Sequence, residues 1–154
     1  MAENNKLPDE IAAQNKVIFL QMIQGTIDRM STSSAIFKGF SATIIAGVSA
    51  ISFSDVNSWV LLLSFAPVLC FLILDVYYLR LERRYRALYE QVRTEKNDVN
   101  FDLSAPSAAD ILKKDKKSNV RIISCLRSPS IILFYLPMII ICIAVAVMKI
   151  SGII

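Results

Sequence analysis

The chain has 154 residues, 55% of them apolar, with a mean hydropathy of +0.51, no His and a formal charge of +4. That length allows one domain, and the apolar share exceeds what so small a core can hide, so the excess is expected to face lipid. Without His the commonest general base and zinc ligand are missing, and Cys70, Cys125 and Cys142 are odd in number, far apart and form no CxxC. The chain therefore reads as a non-enzyme, with no catalytic residues, no metal ligands and no cofactor.

In chain order, residues 1–34 read as a cytoplasmic amphipathic helix, because Leu20, Ile23, Ile27 and Met30 keep the 3-4-3 spacing of a helix seam. Its polar opening lacks the basic tip and apolar stretch of a cleaved signal peptide. Residues 35–79 read as a two-span hairpin. The first span, Gly39 to Phe53, is rich in Ser and Thr and so suits a protein-facing position. Ser54 to Ser58 forms the turn, and the second span, Trp59 to Leu74, continues through Asp75 with Tyr77 and Tyr78 at headgroup level. Residues 80–128 read as a basic cytoplasmic helix and linker: Tyr78, Leu81, Tyr85, Leu88 and Val92 repeat 3-4-3-4, turn-like sequence follows Thr94, and a short helix is predicted over 108–114. The two seams either pack on each other as a stalk or form a coiled coil between subunits. Residues 129–154 hold the surest span, Ser130 to Met148, which carries no charge and reaches about 30 Å. Pro67 and Pro137 lie inside spans, where a kink is expected.

The expected fold is thus an all-α integral membrane protein with three transmembrane helices, the first two a hairpin extended by cytoplasmic helices. Four Lys and Arg precede the first span, twelve lie between Arg80 and Arg127, and only Lys149 follows the third. That asymmetry places the N-terminus in the cytoplasm and the C-terminus outside.

At 100° per residue the first span divides into faces. Ala35, Gly39, Ala42, Thr43, Ala46, Gly47 and Ala50 make a small-residue face suited to close helix packing, with Gly39, Thr43 and Gly47 at its centre. Ser34, Lys38, Ser41 and Ser52 share another side with Ile45 and Val48 between them; this row either lines a narrow aqueous path with a hydrophobic constriction or bonds its own helix's carbonyls. Asp75 and Lys38 are the ionisable residues nearest the membrane interior, where a charge requires a partner. Asp75 is expected to pair with Lys38 or a following Arg, or to form a ring around a shared axis. Arg80, Arg83, Arg84 and Arg86 crowd one helix and suit either anionic lipid headgroups or a nucleotide or oligonucleotide ligand. No Walker sequence, GxGxxG or nucleophile elbow is present. Three spans leave little room for a transporter's inverted repeats, so function is expected from a homo-oligomer.

The runs LDVYYLRLERRYRALYEQVR (74–93), FLQMIQGTIDRMSTSSAIFKGFSATIIAG (19–47) and SPSIILFYLP (128–137) resemble small bacterial helical membrane effectors of phage-defence systems, of the SLATT-like type or the Hailong type. The resemblance implies an oligomeric inner-membrane channel or pore-forming effector whose opening collapses the membrane potential and stops growth of an infected cell. It further implies control by a nucleotide or oligonucleotide made by a partner nucleotidyltransferase. The third span departs from the two-span SLATT pattern. The alternative is a non-conducting scaffold or anchor that recruits a cytoplasmic partner.

Overall fold

A computed structural model describes residues 6–51, 65–94, 99–114 and 119–151, and among these every regular element is a helix. The turn at Ser54 to Ser58, Ser52, and residues 59–64 of the second expected span lie outside the described residues. In chain order the helices are α1, Lys6–Ile51; α2, Phe65–Thr94; α3, Ala108–Lys114; α4, Ile122–Leu126; and α5, Pro129–Ile150.

Helix α1 runs unbroken for 46 residues, about 69 Å at 1.5 Å per residue and roughly twice the thickness of a bilayer core. No Pro interrupts it after Pro8, and it passes through the 34/35 boundary between the expected cytoplasmic and hairpin segments without a break. Among the described residues two helices are long and apolar enough to cross a membrane: α1, over Glu10–Ala50, and α5, over Pro129–Met148, whose mean hydropathy is 2.9. Helix α5 starts with Pro129 at a position where its missing N–H costs nothing, and continues through Pro137 to Ile150.

Helices α1 and α2 lie antiparallel, with α1 extending beyond the end of α2 on its N-terminal side. Lys38 meets Asp75, Phe37 packs on Tyr78, Ile23 and Ile27 pack among Tyr85, Leu88 and Val92, and Lys16 Nζ donates to Arg93 O at 3.0 Å. The two predicted seams therefore close on each other within one chain, as a stalk. The seam on α1 is turned slightly from the expected register: Phe19 is fully buried and Leu20 only partly so.

The linker after α2 folds back onto this stalk. Asn100 Oδ1 accepts from Asp102 N at 3.1 Å and Asp102 Oδ1 from Ser104 N at 2.8 Å, two successive side-chain turns that reverse the backbone. Between them Phe101 adopts φ 53°, a left-handed conformation unfavourable for an aromatic residue, and its ring sits edge-on to Phe19 with centroids 5.5 Å apart. Val99 and Leu103 join the same cluster. Ser107 then caps α3, its Oγ accepting from Ala109 N. A second core lies where α1, α2, α4 and α5 meet and contains Ile45, Val68, Val76, Cys125, Ile131, Tyr135 and Met138.

Candidate functional site

The two ionisable residues singled out at membrane level form a buried pair. Lys38 Nζ lies 2.7 Å from Asp75 Oδ2, with the Asp75 side chain fully buried and that of Lys38 16% exposed. Ser34 Oγ donates to Asp75 Oδ1, and Lys38 Nζ also donates to Ser34 Oγ at 2.7 Å, so α1 supplies one hydroxyl and one ammonium to a single carboxylate from α2. The spacing explains this: Ser34 and Lys38 are one helical turn apart and share a face. Aromatic packing of Phe37 and Phe40 on Phe71, and of Phe37 on Tyr78, holds the helices together on either side of the pair.

The hydroxyl row continues from this pair into the seam between helices. Ser41 is fully buried and donates to Phe37 O at 2.9 Å; Ile45 is buried one turn further on, and Val48 is half-buried. The row thus faces the interior of the subunit, against α2 and α5; of its two described serines, Ser34 bonds Asp75 and Ser41 its own helix. Tyr135, from the middle of α5, is a component that reading the sequence passed over. Its hydroxyl is directed toward Ser41 and Asp75 but closes no hydrogen bond among the described residues. A tyrosine within an otherwise aliphatic span was the available signal.

The small-residue face has the opposite fate. Gly39, Thr43 and Gly47, together with Ala35, Ala42, Ala46 and Ala50, are all exposed, and a Cβ built on Gly39 or Gly47 meets no atom within 4 Å. Packing within the chain therefore uses the polar face of the first span and leaves its small face open.

The four arginines of α2 are deployed as braces. Arg80 Nε donates to Val120 O at 3.1 Å, and Arg83 Nη1 to Asn119 O. Arg84 grips the linker through Nε to Pro106 O at 2.8 Å and Nη2 to Ala105 O at 3.0 Å. Arg86 pairs with Glu82 one turn earlier, at 2.8 Å. The sequence shows their crowding on one helix; it cannot show that three of them turn toward carbonyls from 21 to 40 residues away. Next to Arg83 opens a cleft of about 430 Å³, lined also by Asn119, Arg121, Ile123, Ser124, Arg127, Ser128 and Pro129. Cys125 is fully buried behind this cleft, and burial pushes its thiol pKa up, against the weaker opposing influence of Arg83 and Arg80. Among the described residues no three His, Cys, Asp or Glu side chains gather as a metal site.

Comparison with protein-family models, with curated proteins and with solved structures finds no match for this chain. The fold and site define the class directly: an all-helical protein with two helices suited to cross a membrane and a charged pair buried between two of its long helices.

Proposed function

We propose that this chain is a three-span protein of the bacterial inner membrane, N-terminus inside and C-terminus outside. In this reading it assembles as a homo-oligomeric ion channel or pore-forming effector of antiphage defence, controlled from its basic cytoplasmic face by a nucleotide or oligonucleotide from a partner nucleotidyltransferase. The membrane part rests on the distribution of large exposed apolar side chains: Ile36 and Phe40 on α1, Leu69 and Ile73 on α2, and Leu133, Ile140 and Val147 on α5. Soluble monomers rarely present so much contiguous apolar surface, whereas lipid-facing helices require it.

The observation that carries the channel reading is the Lys38–Asp75 pair at the level of the spans. Charges at that depth cost free energy unless paired or hydrated, and proteins keep them chiefly along ion or proton pathways. In the arrangement observed, the pair and the Ile45 and Val48 side chains close the polar row. Opening requires Lys38 and Asp75 to separate and the row to hydrate, with a ligand that binds the open and closed states unequally providing the bias. The exposed small face of α1 provides the surface for subunit association.

One observation favours the alternative of a non-conducting scaffold: Ser34, Lys38, Ser41 and Asp75 each pair with one another or with their own helix inside a single subunit. Ion flux through the purified protein in sealed liposomes, with and without cyclic nucleotides and short oligonucleotides, separates the two. A ligand-dependent flux abolished by Ser41→Leu supports the channel; absence of flux from inserted oligomers under every ligand supports the scaffold.

A further inference from the structure

Three guanidinium groups from two separate parts of the chain line the cleft at the foot of α5. Arg83 comes from α2, Arg121 precedes α4 and Arg127 follows it. Among the described residues no acidic side chain lines the cleft, and neither Arg121 nor Arg127 has an acidic partner within salt-bridge distance. Arg83 spends one donor on Asn119 O, out of the five that a guanidinium carries. Three like charges around one cavity repel unless an anion joins them, and the planar fork of arginine matches the oxygens of a phosphate.

The remaining lining restricts what sort of phosphate fits. Ile123, 66% exposed, and Pro129 supply apolar walls, and Ile122 and Leu126 are exposed on the same short helix. From Ser130 the chain runs to Met148 without a charge. Cationic and apolar groups thus share one cleft at the start of α5, the combination that a headgroup and its acyl chains require. Among the described residues the lining contains no aromatic ring on which a base would stack.

We propose that the cleft between Arg83, Arg121 and Arg127 binds the phosphate of an anionic phospholipid, with the acyl chains lying along Ile123 and the exposed face of α5. This rests on the reading of α5 as a membrane span. Bound there, the lipid ties the start of α5 to α2 through Arg83 and makes the seating of the third span dependent on leaflet charge. It also gives Arg121 and Arg127 a role separate from that of Arg80 and Arg84, which brace the linker.

The test uses the full-length protein in a neutral detergent, titrated with dioctanoyl phosphatidylglycerol, dioctanoyl phosphatidylcholine and glycerol 3-phosphate, with bound molecules counted by native mass spectrometry. Phosphatidylglycerol is expected to bind best, and Arg121→Gln with Arg127→Gln to weaken it about tenfold or more. Arg93→Gln, at an exposed arginine nearly three turns beyond Arg83 on α2, is expected to leave binding unchanged, and all variants are checked for wild-type melting. Phosphatidylglycerol binding that ignores the double substitution overturns the site. Glycerol 3-phosphate binding as tightly as the lipid, with the same arginine dependence, overturns the lipid source and assigns the cleft to soluble phosphate esters. Failure of the spanning reading is seen separately, as release of the protein from membranes by alkaline carbonate.

Discussion

Lys38 Nζ and Asp75 Oδ2 stand 2.7 Å apart between two helices whose surroundings are otherwise aromatic and aliphatic, and Ser34 bonds to both residues. Removing one partner of such a pair strands a buried charge at a cost of about 3–5 kcal/mol. The two halves are not equivalent. Asp75 is short and fully enclosed, whereas the long Lys38 stem can carry its ammonium toward the surface. Lys38→Met is therefore expected to lower the unfolding temperature in detergent more than Asp75→Asn, and Lys38→Met combined with Asp75→Leu to recover part of the loss. Equal melting of all three variants would show that the pair is hydrated and contributes little.

Gly39 and Gly47 have empty space where a side chain would be. Substitution by Ala is expected to leave the subunit intact and to stabilise α1 by about 0.5–1 kcal/mol, because glycine loses more backbone entropy in a helix. Substitution by Leu is expected to keep the subunit's unfolding profile but to abolish crosslinked oligomers, since bulky side chains prevent close backbone approach. Oligomers that persist in Gly39→Leu/Gly47→Leu would move the assembly interface elsewhere.

Arg84 holds Ala105 O and Pro106 O through two nitrogens, a geometry that lysine cannot reproduce. Charged hydrogen bonds of this kind contribute about 1.5–3 kcal/mol each when protected from water, and less for this half-buried side chain. Both Arg84→Lys and Arg84→Ala are expected to loosen the 99–107 linker, seen as faster chymotryptic cleavage at Phe101 without loss of the remaining helices. This effect must be measured before any loss of ligand response in an Arg83 or Arg84 variant is assigned to ligand contact.

Cys125 has a thiol pKa raised by burial. A group that holds its proton more tightly when folded stabilises the fold below its unfolded pKa, near 9, and that contribution falls as pH rises from there toward the folded value. Cys125→Ala removes the titrating group, so the loss of stability with alkaline pH is expected to be shallower in this variant than in the parent. Iodoacetamide is expected to label Cys125 slowly at pH 8 in the folded protein and rapidly after denaturation.

The helices other than α4, which no expectation covered, were legible in the sequence because they follow from local periodicity. The 3-4-3 seams of α1 and α2, the uncharged run of α5 and the short helix at 108–114 all state which face of a helix is apolar. The Lys38–Asp75 pairing was also accessible as one of a few alternatives, since a charge amid apolar sequence needs a partner and few were within reach.

What covers each face depended on the tertiary structure. The first span has a polar face and a small face, and sequence alone does not say which one the rest of its own chain occupies; packing of α2 and α5 takes the polar face and leaves Gly39 and Gly47 open. The arginine cluster on α2 reads as a solvated cationic surface until the linker returns and places the carbonyls of Ala105, Pro106, Asn119 and Val120 within its reach. The same return brings Arg121 and Arg127 to Arg83 and aims Tyr135 at the buried pair. Local periodicity reports the character of a face over a few turns, whereas these partners are separated by tens of residues and meet only when the linker and α5 dock.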